Sequence, residues 1–372
     1  MKAGWEIKKL GDVCDVMNGG TPKTGDPANW DGNHLWITPA EMGKRLSPYV
    51  SDTERKLSDI GLRDSSAKLL PPNSVILSSR APIGHLVVNT ELMATNQGCK
   101  GLIPRSQLYY KYLYYYLLSV VELLNSLGSG ATFKELSGGK LKDVEIPIPS
   151  STEQQRIVAI LDEAFEGIAT AKANAEQNLK NARALFDSYL NSVFTQRGDG
   201  WVEKRLEDVC ALQRGFDLPT RSRVPGSFPL VSSSGFIDTH VEGPVKGPGV
   251  ATGRSGSIGR VFYIENDYWP LNTVLFIKEF HGNDSKLVYW LLTHFDLNRF
   301  ATGTGVPTLN RNFVHDERVF FPDEQSVQKI IATKIDVLWE ETQQLESIYQ
   351  KKISALDALK KSILNKAFSG EL

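Results

Sequence analysis

Basic and amide side chains recur in loops that are rich in glycine and serine. Residues 78–84 read SSRAPIG, residues 96–100 read NQGCK, and residues 253–260 read GRSGSIGR. Arginine and lysine reach phosphates and the acceptor edge of guanine, whereas asparagine and glutamine pair with adenine, so these loops carry chemistry suited to reading DNA. The candidate DNA-binding residues are Thr21, Lys23, Arg80, Asn96, Gln97, Lys100, Lys134, Arg214, Arg221, Arg223, Arg254, Arg260, Asn310 and Arg311.

Signatures of catalysis and of cofactor binding are missing from the sequence. The glycine-rich segments 253–259 and 128–133 both miss the G-x-G-x-x-G pattern, and no G-x-x-x-x-G-K-[ST] loop occurs. The six histidines form no ligand-spaced pair, and the three cysteines are too scattered for a closed zinc site. The sequence therefore predicts a chain that binds rather than catalyses, with no catalytic residue, no metal site and no cofactor of its own.

Composition and charge indicate a globular protein with two domains. The 372 residues exceed the size of one ordinary core, and 41% of them are hydrophobic. A net charge of −1 gives no general attraction to nucleic acid, so DNA affinity has to come from local surfaces or from a partner. No apolar run approaches the roughly 18 residues of a membrane span, and the N-terminus lacks the layout of a signal peptide. We therefore expect a cytoplasmic location without membrane contact.

The opening phrase of the chain is written twice. GWEIKKLGDVC at 4–14 is answered by GWVEKRLEDVC at 200–210, KYLYYYLLS at 111–119 by KLVYWLLTH at 286–294, and SYLNSVFT at 188–195 by SILNKAFS at 362–369. Two copies of one unit therefore account for the whole chain. Cys14 and Cys210 hold apolar positions of the repeated phrase, which predicts buried thiols.

The amino-acid composition changes partway along each copy. Residues 1–149 and 198–322 carry short β-favouring runs between turns rich in glycine, proline and serine, which predicts two strand-rich heads. Residues 150–197 and 323–372 are rich in Ala, Leu, Lys, Glu and Gln and predict two long helices. Ser150, three residues before Glu153, predicts the N-cap of the first helix, and Asp323 that of the second. The expected fold class is α+β, with two mixed, strand-rich domains that are each followed by a long helix.

Apolar residues recur along both helices at steps of three and four, the spacing of a packing seam. The predicted seam residues are Ile157, Leu161, Ile168, Leu179, Phe186, Tyr189, Ile331, Ile335, Leu338, Leu345, Leu356, Leu359 and Ile363. Thr342 stands in this stripe as a polar interruption. Rods of roughly 60 Å, at about 1.5 Å per residue, are far longer than one small domain needs. We therefore expect an antiparallel coiled coil with a head at each end and an approximate two-fold, circular symmetry.

These segments, in this order, resemble the specificity subunits of type I restriction-modification enzymes. The resemblance spans the whole chain and rests on the duplicated opening phrase and helix. It also rests on GGTPKTGDPANWDG at 19–32, SSRAPIG, TNQGCKGLIP at 95–104, GSGATFKEL at 128–136 and the Pro-x-x-x-E-Q start of the first long helix. The resemblance implies two target recognition domains, each reading one half of a bipartite DNA site, and a coiled coil that fixes the spacing between the half-sites.

The same resemblance implies a set of partners. Specificity subunits assemble with two methyltransferase subunits, which use S-adenosylmethionine to methylate adenine, and with ATP-driven restriction subunits that translocate and cut DNA. S-adenosylmethionine, ATP and Mg²⁺ are then expected in those partners. This chain is expected to bind double-stranded DNA and to dock the methyltransferase subunits on its helices, without being an enzyme by itself.

The second head departs from the pattern of the first. It lacks the GGTP and NQG segments and keeps only Asn272 and Thr273 near the equivalent place. Divergence is expected if the two halves read different bases. The residues alone leave the position of the base-reading loops of this head open.

Two other classes of function are consistent with parts of the sequence. A coiled-coil scaffold whose heads bind protein or carbohydrate would share the same architecture. A stand-alone DNA methyltransferase or nuclease would need the motifs that are missing. Only ligand binding separates the scaffold from the DNA reader, because the two share every helix and strand.

Overall fold

The computed structural model describes residues 4–130, 134–196, 198–303 and 307–372. Its internal contacts divide the chain into two compact units, residues 1–174 with 352–372 and residues 175–351. Each unit therefore combines one head with parts of both long helices. No helix within these described ranges is long and apolar enough to cross a membrane.

The first head consists of short strands and short helices. The strands are β1 (Glu6–Lys9), β2 (Cys14–Asn18), β3 (Trp30–Ile37), β4 (Tyr49–Val50), β5 (Arg55–Leu57), β6 (Val75–Ser79), β7 (Ile83–Asn89), β8 (Met93–Thr95), β9 (Cys99–Pro104) and β10 (Glu145–Ile148). The helices are α1 (Leu10–Val13), α2 (Pro39–Met42), α3 (Asp59–Arg63), α4 (Tyr110–Ser119), α5 (Val121–Leu127) and α6 (Gly138–Lys142). A 3-10 turn covers Pro27–Asn29.

A five-stranded sheet in the order β2-β9-β6-β7-β4 lies at the centre of the first head. A three-stranded sheet, β5-β3-β8, lies in the same head, and β1 pairs antiparallel with β10. The central strand β6 reads VILSS and is buried along its whole length, as its β-branched and apolar residues favour. Val75 and Leu77 of β6 share the main core with Tyr112 and Leu113 of α4, so this helix covers one face of the sheet.

The second head follows the first long helix, α7 (Ser151–Thr195). Its strands are β11 (Trp201–Arg205), β12 (Ala211–Arg214), β13 (Phe228–Ser232), β14 (Gly235–His240), β15 (Gly249–Gly253), β16 (Val261–Ile264), β17 (Trp269–Pro270), β18 (Val274–Glu279), β19 (Ala301–Thr302), β20 (Thr308–Leu309) and β21 (Arg318–Pro322). Its helices are α8 (Leu206–Val209), α9 (Ser285–His294) and α10 (Arg311–His315), and the second long helix is α11 (Gln325–Ser369).

The two heads share one strand order. In the second head the order β12-β18-β15-β16 repeats β2-β9-β6-β7, and β14-β13-β17 repeats β5-β3-β8. The pairing directions also match, because β3 and β13 each have one antiparallel and one parallel neighbour. The pair β11 and β21 corresponds to β1 and β10. The predicted α+β fold with a duplicated unit is therefore confirmed at the level of strand topology.

All three cysteines are free and buried inside the heads. Burial raises the pKa of the Cys14, Cys99 and Cys210 thiols to about 12 in each case. The prediction of small buried residues in the repeated opening phrase is confirmed. At neutral pH these thiols are protonated and unreactive.

Within the first unit, α7 and α11 run antiparallel. Phe165 of α7 has its ring 4.7 Å from the Lys360 Nζ of α11, and farther along α7 the Lys172 Nζ donates to an Asp357 carboxylate oxygen at 2.7 Å. Residue numbers that increase along α7 are therefore paired with residue numbers that decrease along α11. Ile157, Leu161 and Leu364 belong to the same buried core, so the packed faces also continue into the head.

The second unit has the same antiparallel pairing among its own residues. Arg183 Nε of α7 donates to Glu346 Oε1 of α11 at 2.7 Å, and three residues on, the Phe186 ring lies 4.8 Å from the Trp339 ring. Phe186 also belongs to the core of the second head together with Ile335. In each unit, therefore, α7 and α11 pack against each other and also against the head of that unit.

Burial separates the predicted seam residues into three groups. Buried positions are Ile157, Leu161, Ile168, Phe186 and Ile335; half-buried ones are Leu179, Tyr189, Ile331, Leu338, Leu356 and Ile363. Leu345 and Leu359 are 42% and 47% exposed, so the seam prediction is wrong for these two. The packed face near Leu345 carries Thr342 instead, which is 5% exposed and donates its hydroxyl to the Leu338 carbonyl oxygen at 2.8 Å. Thr342 therefore continues the seam, because its own helix satisfies its hydroxyl.

The helix starts follow the predicted capping only in the first copy. Ser150 Oγ accepts a hydrogen bond from the Glu153 N–H at 3.3 Å, directly before α7 begins, and is the N-cap that the sequence predicts. Helix α11 begins at Gln325, one residue too late for Asp323 to be its N-cap. The Asp323 carboxylate instead accepts from Lys204 Nζ at 2.7 Å, so the ion pair with β11 occupies the side chain.

A buried glutamine attaches the first head to the helix that follows it. Gln154 is 1% exposed, and its Nε2 donates to the carbonyl oxygens of Gln107 at 2.9 Å and Pro149 at 3.0 Å. Its Oε1 accepts from the Tyr109 N–H at 2.9 Å, directly before α4 begins. One side chain on α7 thus fixes the start of α4 and the end of β10 relative to the helix.

The second head repeats this attachment. Gln328 is also 1% exposed, and its Nε2 donates to the Pro322 carbonyl oxygen and to Asn283 Oδ1, both at 2.8 Å. Its Oε1 accepts from the N–H of Asp284, the N-cap of α9, at 2.7 Å. The same element boundaries are therefore joined in both heads.

An aspartate two helical turns beyond each glutamine adds a second attachment. Asp162 accepts from Lys111 Nζ at 2.8 Å and from the Tyr115 hydroxyl, both on α4. Asp336 accepts from Trp290 Nε1 on α9 at 2.7 Å, and burial raises the pKa of its carboxyl group. The orientation of each head helix on its long helix is thus held by the polar contacts of two side chains, one glutamine and one aspartate.

Candidate nucleic-acid interface

Three loop segments of the first head meet at one edge of its main sheet. Because β9 pairs antiparallel with both β2 and β6, the ends of β2 and β6 lie beside the start of β9. Gly19 N–H after β2 donates to the Cys99 carbonyl oxygen at 3.1 Å, and a Cβ at Gly19 would lie 2.0 Å from the Asn96 carbonyl oxygen. Only glycine permits this approach of the two backbones. The GG segment and the NQG segment are therefore brought together.

Thr21 and Asn96 are joined by a hydrogen bond at this edge. Asn96 Nδ2 donates to Thr21 Oγ1 at 2.9 Å, and Asn96 Oδ1 accepts from the Gly98 N–H at 2.8 Å. The Gln97 N–H reaches the same threonine oxygen at 3.4 Å. Three of the predicted DNA-binding residues thus form one ordered polar cluster.

Two predicted cations of this edge share a carboxylate. Arg80 Nη1 and Lys100 Nζ each lie 3.8 Å from an oxygen of Glu135. The Lys100 side chain is only 7% exposed, whereas Lys134, next to Glu135 in the chain, is exposed. Glu135 was not predicted, because a single acid beside a lysine gives no signal in sequence. It reduces the net positive charge of this edge.

The backbone of Lys23 contacts the neighbouring three-stranded sheet. Its carbonyl oxygen accepts from Asn29 Nδ2 at 3.1 Å and from Trp30 Nε1 at 3.4 Å, so its backbone packs on the loop and strand of the three-stranded sheet. Its side chain is exposed. Residues 131–133 of the predicted GSGATFKEL loop lie outside the described residues, as do residues 304–306 of the corresponding loop in the second head.

Backbone hydrogen bonds identify the equivalent edge in the second head. Gly215 N–H donates to the Val274 carbonyl oxygen at 3.0 Å, as Gly19 does to Cys99. The Arg254 N–H donates to the Thr273 carbonyl oxygen at 2.8 Å, in the way that the Ser79 N–H donates to Gly98 at 2.7 Å. Asn272 and Thr273 therefore occupy the place of the NQG segment, which the sequence had left open.

The polar pair at this edge is also repeated with different side chains. Asn272, which takes the place of Gln97, donates its Nδ2 to Asp217 Oδ1, whereas in the first head Asn96 donates to Thr21. The arginine is displaced by one residue, because Arg254 corresponds to Ser79 rather than to Arg80. Since side chains alternate along a strand, this displacement presents the guanidinium on another side of the sheet edge.

A cleft of about 490 Å³ opens at this edge of the second head. Its lining residues are Gln213, Arg214, Arg254, Leu275, Thr302, Thr308, Leu309, Asn310, Arg311 and Asn312. The structure thus brings together four of the predicted residues, Arg214, Arg254, Asn310 and Arg311. Gln213 and Asn312 complete the polar lining and were not predicted, although Asn312 lies in the same TLNRN segment.

The other predicted arginines of the second head lie elsewhere. Arg223 lines a separate cleft of about 460 Å³ and donates to the Leu218 carbonyl oxygen at 3.3 Å. Arg221 is exposed on the 3-10 turn Thr220–Ser222. Arg260 donates to the Ser234 carbonyl oxygen at 3.3 Å and lies 5.5 Å from the Phe262 ring. These three cations are therefore peripheral to the cleft that the remaining candidates share.

Among the residues that the structure describes, no group of three or more His, Cys, Asp or Glu side chains is arranged to hold a metal ion. The chemistry of both edges is that of hydrogen-bond donors, carboxamides and guanidinium groups. Such groups recognise phosphates and base edges without covalent chemistry.

Comparison with known protein families gives a match over most of the chain. The family model described as the type I restriction modification DNA specificity domain matches residues 2–181 and, a second time, residues 198–355. The chain is 27% identical to the type I restriction enzyme MjaIX specificity subunit of Methanocaldococcus jannaschii, over 99% of this chain and 93% of that protein. It is 22% identical to the type I restriction enzyme EcoprrI specificity subunit of Escherichia coli, over 88% of this chain and 87% of that protein.

Solved structures support the same fold. A chain from a study of complex assembly and conformational transition of the type I R-M system aligns with a TM-score of 0.83 at 16% identity, over 100% of this chain and 99% of that chain. The HsdS subunit from Thermoanaerobacter tengcongensis aligns with a TM-score of 0.66 at 15% identity, over 100% and 98% of the two chains.

Proposed function

Because the chain belongs to the type I restriction modification DNA specificity family, we propose that each of its heads reads one half of a bipartite DNA site. Its function is that of a specificity subunit. The observation that carries the proposal is the pair of equivalent sheet edges. The two edges have equivalent backbone hydrogen bonds, yet the edge of the first head presents Thr21 and Asn96, and that of the second head presents Arg254 and Asp217. One scaffold with two sets of polar side chains suits two different half-sites.

The long helices are proposed as the spacer between the half-sites and as the docking surface for methyltransferase subunits. In the second unit, Ile330, Val337 and Ile348 are 56%, 50% and 56% exposed. Their separations of 7 and 11 residues place them on one face of α11, about half a turn away from the face that Ile335 buries. An exposed apolar stripe on a helix that is already packed on its other side supports docking of a further protein.

The proposed complex divides the chemistry among its subunits. This chain supplies sequence recognition, while methyltransferase subunits that use S-adenosylmethionine modify adenine and restriction subunits that use ATP and Mg²⁺ translocate and cut the DNA. The missing nucleotide-binding motifs of this chain support that division. We assign no cofactor to the chain itself.

The central experiment is a head exchange. The chain would be co-expressed with its methyltransferase subunit, and methylated adenines would be mapped across the genome of the host. We expect one bipartite motif, and we expect replacement of residues 1–149 by the first head of another specificity subunit to change one half of it. A change in both halves would refute independent reading. Failure of the complex to bind or methylate any DNA at moderate salt would favour a scaffold with protein- or carbohydrate-binding heads.

A second experiment tests the spacer. Deleting one heptad from each long helix removes about 10 Å of helix, which corresponds to roughly three base pairs of DNA. We expect a shorter gap between the half-sites or a loss of assembly with the methyltransferase subunits. An unchanged gap with full methylation would show that the helices do not set the spacing.

A further inference from the structure

The guanidinium groups around the cleft of the second head have weak partners among the residues that the structure describes. Arg254 Nη1 is 3.4 Å from the Asn272 carbonyl oxygen, and Arg311 Nη1 is 3.4 Å from the Leu212 carbonyl oxygen. Arg214 Nη2 is 3.5 Å from Asp217 Oδ1. None of the described residues that line the cleft carries a carboxylate. Since each guanidinium has five N–H donors, most of the donors at this cleft are available to a ligand.

The backbone of Arg254 is held firmly. Its N–H donates to the Thr273 carbonyl oxygen at 2.8 Å, and its carbonyl oxygen accepts from the Leu309 N–H at 2.7 Å. Arg254 is also half-buried, whereas Arg214 and Arg311 are exposed. A side chain that starts from a fixed backbone at a sheet edge is positioned well for directional hydrogen bonds.

The described residues of the first head contain no counterpart of Arg311 and Asn312 in this lining. The Leu136 N–H donates to the Ser79 carbonyl oxygen at 2.9 Å, and in the same way the Leu309 N–H donates to the Arg254 carbonyl oxygen. The short helices α6 and α10, which begin two residues after these leucines, are therefore equivalent. Ser137 and Asn310 are their N-caps. The next two residues are Gly138 and Gly139 in the first head and Arg311 and Asn312 in the second. The cleft side chains therefore belong to what distinguishes the two heads and not to the shared scaffold.

The mixture of side chains favours a base over a phosphate. Phosphate oxygens only accept hydrogen bonds, but this cleft places the carboxamides of Gln213, Asn310 and Asn312, which both donate and accept, among the three guanidinium groups. Guanine presents two acceptors, O6 and N7, on its major-groove edge, and a bidentate arginine is the commonest specific contact to it. Carboxamides read adenine in the same groove.

From this arrangement we propose that the cleft of the second head reads a guanine of its half-site, with Arg254 as the principal bidentate donor to O6 and N7 and Arg311 beside it. The proposal rests on the proposed function, because it assigns a base to one of the two half-sites. The first head, with glycines in place of Arg311 and Asn312, reads its half-site without this cleft.

The test uses the assembled complex of this chain with its methyltransferase subunits. Duplex oligonucleotides that contain the mapped site would carry 7-deazaguanine, which lacks N7, in place of guanine in the half-site that head exchange assigns to the second head. We expect roughly 10- to 100-fold weaker binding by the wild-type complex for one such position. Arg254→Ala should lose a similar factor on unmodified DNA and show no further loss on the 7-deazaguanine duplex.

Arg254→Lys separates a base contact from a phosphate contact. Lysine keeps the charge but not the planar pair of donors, so it should bind the site less tightly than arginine at a bidentate guanine contact and as tightly as arginine at a phosphate. Arg318→Ala, an exposed arginine of β21, is the matched control and should leave the methylation motif and binding unchanged. Thermal unfolding of each variant would exclude a folding defect.

Several outcomes would overturn the guanine assignment. These are a second half-site without guanine, full activity of Arg254→Lys, or a loss of affinity in Arg254→Ala that is equal for all sequences. In each of them the wild-type complex still methylates a bipartite site, so the proposed function stands. If the wild-type complex methylates no bipartite site, the proposed function fails together with the guanine assignment.

Discussion

Replacing Gln328 by leucine should weaken the attachment of the second head to α11 while filling nearly the same space. The change removes the partner of two backbone groups, the buried Pro322 carbonyl oxygen and the half-buried Asp284 N–H. It also removes the partner of Asn283 Oδ1, which can turn toward water. A buried polar group left without a partner costs about 1–3 kcal/mol. One buried and one half-buried backbone group together give an expected loss of roughly 3 kcal/mol, a large part of the stability of a domain.

The assay is equilibrium unfolding of the purified chain in urea, followed by tryptophan fluorescence. Gln325→Leu is the matched control, because Gln325 lies in the first turn of the same helix, is exposed, and makes a single hydrogen bond to the Gly282 carbonyl oxygen at 2.9 Å. We expect this control to change the free energy of unfolding by less than about 1 kcal/mol. If Gln328→Leu were as stable as the control, the reasoning about a buried polar attachment would be refuted.

Three further predictions concern stability. Ile335→Asp should cost at least about 3 kcal/mol of unfolding free energy because it buries a charge, whereas Leu345→Asp, at an exposed position, should cost little in the isolated chain; equal losses in urea unfolding would contradict the seam. Gly19→Ala should destabilise the first head, since its Cβ would lie 2.0 Å from a backbone oxygen, while Gly25→Ala, with no atom within 4 Å, should be tolerated; thermal unfolding compares them. Burial lowers the pKa of His315 from its ordinary 6.5, so the neutral imidazole contributes fully to the free energy of unfolding above about pH 6.5, and this contribution should be lost as the pH falls below it. Urea unfolding across that range should show a weaker dependence of the unfolding free energy on pH for His315→Gln.

The duplicated architecture was predictable because repeated segments and local composition indicate it directly. The repeated opening phrase and the composition change near residue 150 predict two heads and two long helices, and the strand orders agree. Apolar spacing along α11 was less informative, because that helix carries two apolar stripes and spacing alone does not tell which of them is packed. Spacing alone therefore predicts Leu345 in the seam and Thr342 as an interruption, whereas Thr342 is the buried one.

The candidate interface was predictable in residue type but not in grouping. Arginine and asparagine in glycine-rich loops indicated the right segments. Which of them share one cleft depends on strands that pair across the chain, such as β12 with β18 and β15 with β18. For the same reason the Glu135 carboxylate between two cations and the one-residue displacement of Arg254 could not be read from the sequence.

The burial of every native thiol makes this protein well suited to chemical labelling. With a pKa of about 12, Cys14, Cys99 and Cys210 are almost wholly protonated at neutral pH, and none is accessible to a maleimide or a spin label. An exposed cysteine introduced into each head would therefore carry the label alone, without removal of the native residues. The distance between two such labels, measured by electron paramagnetic resonance with and without DNA, could then be compared with the proposed gap between the half-sites.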